Sequence, residues 1–330
     1  MLIRNPITPT IDYEKEGIQH GYLKLPHSYD GSAWGSLMIP ITVMKRGDGP
    51  TALLTGGNHG DEYEGPIALF NLSNEIDISD ITGRVIIVPA MNYPAFRAAS
   101  RTSPIDGGNM NRIFPGNPRG SVTEKIADYF QRTLLPMADY VLDLHSGGKT
   151  LDFVPFCAAH VLPNAEQQAH CVAAMEAFNA PYSMMLREVD ATGMYDSAAE
   201  EMGKIFVSTE LGGGGSATSH TVAIARRGIR NFLIHAEILA GEPEKSDSIN
   251  LHMPDDDCYI SCEAGGLLEF CCELGDRVKK GQLLARVHDY ERTGRAPMNY
   301  ISERDGVLAA RHYPCLIQIG DIVGVIGVEG

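Results

Sequence analysis

Short apolar runs alternate with longer amphipathic stretches over the first 240 or so residues. Thr51-Ala52-Leu53-Leu54-Thr55 reads as a buried strand closed by Gly56 and Gly57. Pro66-Ile67-Ala68-Leu69-Phe70-Asn71-Leu72 predicts a helix with proline near its first turn. Arg84-Val85-Ile86-Ile87-Val88-Pro89-Ala90 is apolar on both faces, as a central strand of a covered sheet should be. From Met91 to Gly120 periodicity is lost, and a polar stretch of that length in a compact domain is expected to be functional or disordered. It ends at Ser121-Val122-Thr123-Glu124, a capping box opening a helix through Ile126, Tyr129, Phe130 and Leu134.

The same alternation continues downstream. Tyr140-Val141-Leu142-Asp143-Leu144-His145 predicts a third strand, followed by Gly147 and Gly148. Asn164 with Gln167 marks the capped start of a helix through Val172, Met175 and Phe178. Lys204 to Leu211 is a fourth strand that carries Glu210 and runs into four glycines, Gly212 to Gly215. A helix from about Ser219 to Arg227 follows. Strands alternating with helices argue an α/β fold with helices on both faces of the sheet. Residues 1 to about 50 read as an entry segment of strands and turns. Pro40 inside the β-rich run Ser36–Met44 predicts an edge position or a bulge there.

Around Gly241-Glu242-Pro243-Glu244-Lys245-Ser246 the texture changes to a polar linker, and beyond it short strands and turns replace helical periodicity. The expected division is residues 1–245 as one α/β domain and residues 246–330 as a small all-β domain. Composition adds exclusions. The chain has 330 residues, 44% hydrophobic and 21% charged, with a formal net charge of −15. That balance disfavours nucleic acid and anionic membranes as partners, since both reward a basic surface. Seven cysteines without CxxC pairs read as reduced core fillers. With no signal-peptide pattern at the N-terminus and no run of membrane-spanning length, a cytoplasmic protein is expected. A homo-oligomer is a possible assembly for such a chain.

Three predicted strands end alike: an apolar run, a metal-competent side chain, then glycine. His59 with Glu62 follows the first, His145 ends another and Glu210 a third. In open α/β sheets, ligand sites form outside the carboxyl ends of strands, so these side chains converge if the strands are parallel neighbours. A histidine and a carboxylate three residues apart could grip one divalent ion, and catalytic zinc usually takes three protein ligands and keeps one position open. The remaining histidines, among them His20, His27, His160, His170, His220, His252, His288 and His312, lack such context and read as surface or core residues. In the long polar stretch, Arg101, Asn111 and Arg112 offer two guanidiniums and an amide, suited to binding a carboxylate.

The ordered set Gly56-Gly57-Asn58-His59-Gly60-Asp61-Glu62, Arg101, Asn111-Arg112, Asp143-Leu144-His145 and Glu210 resembles the succinylglutamate desuccinylase/aspartoacylase family of the zinc carboxypeptidase-like superfamily. The resemblance runs from about residue 50 to 240. It implies a carboxypeptidase-like α/β/α sandwich with a mixed central sheet, and one zinc ion per chain held by His59, Glu62 and His145. It further implies that Arg101 polarises the scissile carbonyl, that Asn111 and Arg112 hold the substrate α-carboxylate, and that Glu210 is the general base. Zinc lowers the pKa of coordinated water toward neutrality, and a carboxylate can accept the remaining proton, so the chemistry agrees. Between Arg101 and Arg112 this chain holds extra residues, Pro104 to Gly108, relative to the shorter aspartoacylase-like loop.

The later stretch Gly275–Leu284 is similar to a biotinyl/lipoyl-type barrel, a barrel-sandwich-like fold. The segment where that fold carries its lysine, here Ala296-Pro297-Met298-Asn299-Tyr300, has none. A structural or pocket-covering role is therefore expected. Within the family, chains of this length with a β appendage resemble those that deacetylate N-α-acetyl-L-2,4-diaminobutyrate in ectoine breakdown. Such a small N-acyl amino acid has an ammonium that needs an acidic partner, with Glu188, Asp190 and Asp196 as candidates. Succinylglutamate or acetylaspartate would instead need a further cation, for which Arg187 is available. A true carboxypeptidase is disfavoured because the appendage would crowd a peptide. A non-catalytic metal-binding regulatory protein is the alternative from another class.

Overall fold

The computed structural model describes residues 4–186 and 192–330. The candidates Arg187, Glu188 and Asp190 lie outside the described residues. Strands β1 (Thr8–Pro9), β2 (Gly17–Pro26) and β3 (Ser36–Arg46) form the antiparallel entry. Pro40 pairs only toward β2, opposite Tyr22, because the next strand on the other side begins to pair at Thr42. Proline, which cannot donate to a ladder, therefore occupies a free edge, as its place in the run predicts. The central strands follow: β4 (Thr51–Gly56), β5 (Gly83–Val88) and β6 (Tyr140–His145). Beyond them lie β7 (Leu151–Phe153), β8 (Phe156–His160), β9 (Tyr182–Leu186) and β10 (Ile205–Glu210).

The helices are α1 (Glu64–Glu75), α2 (Tyr93–Ala98) and α3 (Val122–Tyr129), the last continuing through a π-helical turn (Phe130–Leu134) into α4 (Leu135–Met137). Further along come α5 (Ala165–Phe178), α6 (Tyr195–Glu200) and α7 (Ser219–His235). The reciprocal capping box at Ser121 and Glu124 forms, and the Asn164 side chain accepts from the N–H groups of Glu166 and Gln167. Two expectations change. The stretch from Met91 to Gly120 is not wholly irregular, because Tyr93–Ala98 is helical. The helix expected to end near Arg227 runs unbroken to His235. Gly228 does not stop it, since a Cβ there would lie 2.3 Å from the Phe178 ring; the glycine serves helix–helix packing.

Alternate residues of each central strand feed opposite cores, as a period of two requires. Ala52 and Leu54 pack with α1, α5 and α7, whereas Leu53, Val141 and Phe206 pack with α3, the π-helical turn and α6. Helices therefore cover both faces of a mixed sheet. The order β5-β4-β6-β10 is parallel throughout, and β8 then runs antiparallel to β10.

Past Gly241 the described elements are short strands and one 3₁₀ turn (Asp256–Cys258): β11 (Ile249–His252), β12 (Tyr259–Ser261), β13 (Gly266–Phe270), β14 (Arg277–Val278), β15 (Leu283–His288), β16 (Met298–Ile301), β17 (Gly306–His312), β18 (Leu316–Ile317) and β19 (Ile322–Glu329). They do not stand wholly apart from the rest. β11 pairs with β9 on one side and β19 on the other, so the large sheet continues into this region. A separate antiparallel sheet, β16-β15-β13-β18, completes it. Among the described residues no helix is long and apolar enough to cross a membrane.

Candidate active site and metal centre

The loop after β4 turns through Gly57 in the left-handed region (φ 63°) and carries His59 and Glu62 into the interior before α1 begins. Gly60 is demanded by close approach: a Cβ there would lie 2.0 Å from the Ala95 carbonyl carbon. The polar stretch is fastened to this loop by backbone bonds, with Met91 N–H donating to Gly56, Asn92 N–H to Gly57, and Gly60 N–H to Ser100 (3.0 Å). His145 ends β6 and Glu210 ends β10, and the parallel register sets the two abreast. The convergence expected of neighbouring strand ends is present.

His59 Nδ1 lies 2.7 Å from Glu62 Oε1, and His145 Nδ1 lies 3.0 Å from Glu62 Oε2. The ligand atoms of His59, Glu62 and His145, all buried, lie within 4.8 Å of one another. Two imidazoles and one carboxylate at such spacing fit a divalent ion, and the arrangement behind them fits too. His145 Nε2 is 2.7 Å from Asp143 Oδ2, leaving Nδ1 as the nitrogen facing the cluster. A carboxylate behind a histidine ligand fixes its orientation and raises its basicity. Asp143 is itself held by the Thr55 hydroxyl (2.7 Å) and the Asn58 amide (3.0 Å), so the support reaches back into β4 and its loop. Asp143 carried no assigned role in the sequence, because the face it shares with His145 gains meaning only once its neighbours are known.

Burial sets the electrostatics. It works against charge on Glu62, yet the imidazoles of His59 and His145 hold this carboxyl well below its usual range. Burial likewise disfavours a charged His145, but Asp143 and Glu62 outweigh it and raise the imidazole well above its ordinary value. Glu210 is pushed up to about 8, chiefly by burial and then by the charge of Glu62. Its Oε2 is buried without a hydrogen-bond partner among the described residues. Asp61 and Glu64 also prove buried: Asp61 accepts from Lys149 N–H, and burial lifts Glu64 to about 7.

A cavity of about 690 Å³ opens over this cluster. It is lined by His59, His145 and Glu210, and also by Arg101, Asn111 and Arg112, so the predicted residues that contact it meet in one chamber. Arg101 Nη1 stands 3.7 Å from Glu62 Oε1, half exposed. Asn111 Oδ1 accepts from Tyr195 N–H (2.9 Å), which makes its NH₂ the end of the amide that can donate elsewhere. The extra residues Pro104–Gly108 are internally braced: Asp106 accepts from Thr123 N–H and hydroxyl and from Gly108 N–H.

One further lining residue changes the sequence reading, and a candidate acid joins it. His160, taken there as a surface or core histidine, lines the cavity with its Nδ1 2.7 Å from Glu200 Oε1 and its ring stacked on Phe206. Asp196 lines it as well. His160 closes an apolar strand as His145 does, but β8 is antiparallel to β10, so the strand-end argument could not locate it. Met253, Tyr259 and Val325 of the C-terminal region form part of the wall.

A mixed sheet with two histidines and a carboxylate that could hold a metal ion at its carboxyl edge is a metallohydrolase-like arrangement. Residues 48–236 match the model of the succinylglutamate desuccinylase/aspartoacylase catalytic domain, and the chain belongs to that family. It is 59% identical over 324 residues, 98% of this chain and 95% of the relative, to an N-alpha-acetyl-L-2,4-diaminobutyric acid deacetylase of Halomonas elongata. A product-bound structure of the ectoine utilization protein EutE (DoeB) from Ruegeria pomeroyi is 62% identical, with a TM-score of 0.97 over 99% of this chain and 100% of that one. A structure described as a succinylglutamate desuccinylase from a Silicibacter species is 60% identical, with a TM-score of 0.97 and full coverage of both chains.

Proposed function

We propose that this chain is a zinc-dependent amidohydrolase that deacetylates N-α-acetyl-L-2,4-diaminobutyrate. The observation that carries the reading is one cavity lined by His59, His145, Glu210, Arg101, Asn111 and Arg112, with Glu62 buried against the two histidines. Its substrate is supported by the 59% identity to a deacetylase of that compound across 98% of the chain. When bound by His59, Glu62 and His145, a zinc ion supplies Lewis acidity and a nucleophile active near neutral pH. Glu210 takes the proton of the attacking water and delivers it to the leaving amine as the amide C–N bond breaks, releasing acetate and the free diamino acid. Arg101 donates to the oxyanion that develops on the carbonyl oxygen. Arg112 and the Asn111 NH₂ hold the α-carboxylate and so fix the amide over Glu210. Asp143 keeps the His145 ring oriented.

In the same reading, residues 1–245 carry the hydrolase, and residues 246–330 act as a β-rich wall that closes one side of the cavity. A cytoplasmic location accords with a metabolic role.

A second reading, desuccinylation, draws on the description of the Silicibacter relative. N-succinylglutamate brings two carboxylates beyond the one clamped at Arg112. Among the described residues, Arg101 and Arg112 are the arginines that line the cavity, and it has no lysine in its wall. The test is turnover of N-acetyl-diaminobutyrate, N-acetylaspartate and N-succinylglutamate by protein whose zinc content has been measured. The first should be hydrolysed with the highest kcat/KM. Preference for N-succinylglutamate would replace this reading, and no turnover by zinc-loaded protein would favour a non-catalytic metal-binding protein.

A further inference from the structure

Thr55 and Asn58 hold Asp143, and the side chain packed beneath that group has no part in the chemistry above. In the parallel register Leu53 stands opposite Val141 and Thr55 opposite Asp143, while Phe206 of β10 meets Val141 on its other side. Side chains two apart on a strand share a face, so Thr55 and Asp143 form the next row beyond Leu53, Val141 and Phe206. Tyr195, at the start of α6, belongs to the core on that face. Its ring is fully buried and meets Phe206 edge-on, 5.8 Å between ring centres, with Phe114 at 5.0 Å and Phe130 at 5.9 Å.

Three aromatic neighbours fix the ring and leave the phenol oxygen as the polar tip of an apolar body. That oxygen is buried without a hydrogen-bond partner at ordinary distance among the described residues. Burial and then the charge of Asp143 raise the phenol well above its ordinary value, and the Thr55 hydroxyl works the other way, so these two side chains face it. A phenol so placed keeps its proton and remains a donor. The Thr55 hydroxyl gives its hydrogen to Asp143 Oδ1 (2.7 Å), and its oxygen is then the acceptor an incoming donor meets. Links of such a chain polarise and strengthen one another. At its other end Tyr195 is tied to the proposed carboxylate clamp, since its N–H donates to Asn111 Oδ1 (2.9 Å).

We propose that Tyr195 is a positioning residue: its hydroxyl backs the Thr55–Asp143 pair that orients the His145 ring, while its main chain holds Asn111 of the clamp. The inference rests on the deacylase reading and deepens it, because one residue then ties the metal side of the cavity to the substrate side. The competing account is that the tyrosine merely fills the core and its hydroxyl is a tolerated orphan. Removing an orphan relieves a buried unpaired group, so thermal stability would rise and zinc affinity would not move. Removing a prop behind a ligand's partner lowers zinc affinity instead.

The experiment compares wild type, Tyr195→Phe, Asp143→Asn and the double variant. Zinc affinity is measured by chelator competition, kcat and KM with N-α-acetyl-2,4-diaminobutyrate, and folding by thermal unfolding. Tyr195→Phe keeps the ring and the N–H bond to Asn111 and removes only the hydroxyl. Its zinc affinity should fall about three- to tenfold, less than the 10–100-fold typical of a ligand's direct partner. The kcat of zinc-saturated protein should fall by about as much, with KM within about twofold of wild type because the clamp is untouched. Once Asp143→Asn is in place, adding Tyr195→Phe should cost less than about twofold, since both act on one ring. Wild-type zinc affinity in Tyr195→Phe, full additivity in the double variant, or a raised KM as the sole effect overturns the inference. A Tyr195→Phe chain that does not fold shows a structural role and overturns it as well. Zinc-loaded wild type that cleaves no N-acyl amino acid overturns the deacylase reading, and the zinc comparison, which needs no turnover, still decides this one.

Discussion

Glu210 stands abreast of His145 through six matched pairs of a parallel ladder, so its chemistry can be tested at one carboxyl. Glu210→Gln should keep the zinc content of wild type by metal analysis and lose about 10²–10⁴-fold in turnover, the range set by a positioned acid/base group. Near-wild-type turnover in that variant would remove the role. The pH dependence has a defined sign. A base works unprotonated, so kcat/KM should fall as pH drops through the Glu210 pKa. Burial and then the charge of Glu62 raise that value to about 8, and an ion on Glu62 cancels the second cause. The acid limb of the loaded enzyme should therefore lie below about 8, and a flat profile through the neutral range would contradict it. Asp143→Asn should weaken zinc binding about 10–100-fold by chelator competition, because the His145 ring loses the acceptor behind it. His59, Glu62, His145 and Glu210 were legible because each follows an apolar run and meets glycine. Asp143 and His160 were not: their value comes from partners, Thr55 and Asn58 for one and Glu200 for the other, that sequence spacing does not reveal.

At the level of elements, local signals were read well and nonlocal ones were not. The capping box at Ser121, the Asn164 cap and the strand before the metal loop depend on a few adjacent residues, and all formed. The short strands β7 to β9 and the antiparallel turn of β8 depend on pairing across the sheet, where propensity is a weak guide. Gly228 illustrates the difference. In sequence a glycine after Arg226-Arg227 reads as a helix end, yet it survives mid-helix because Phe178 of α5 fills the space a side chain would need. Gly60 is the same device at the site, where the metal loop meets the backbone of α2. Gly60→Ala should force these apart at a cost of about 1–3 kcal/mol, as overpacking does, seen as a lowered Tm. Because Gly60 N–H also bonds Ser100, next to Arg101, the displacement should reach the proposed oxyanion donor, and activity should fall by roughly tenfold or more. Unaltered Tm and activity would show the contact to be soft.

Across the whole molecule, the β-rich C-terminal region is tied to the α/β layer by continuous strand pairing and shares the cavity wall with it. The net charge of the molecule acts on what diffuses into that cavity. A formal charge of −15 gives the molecule as a whole a field that repels anions. N-acetylaspartate and N-succinylglutamate carry two and three carboxylates, whereas N-acetyl-diaminobutyrate balances one carboxylate against one ammonium. Salt should therefore separate the substrate readings without any mutation. Raising ionic strength from about 0.01 to about 0.15 M shortens the screening length from roughly 30 to roughly 8 Å. Entry of the multiply charged anions should become several-fold more efficient over that range. The kcat/KM for the zwitterion should change by less than about twofold, because its net charge gives the field little to act on. A zwitterion response as steep as that of N-succinylglutamate would mean that the cavity meets its substrate as an anion, and the diamino acid would no longer fit.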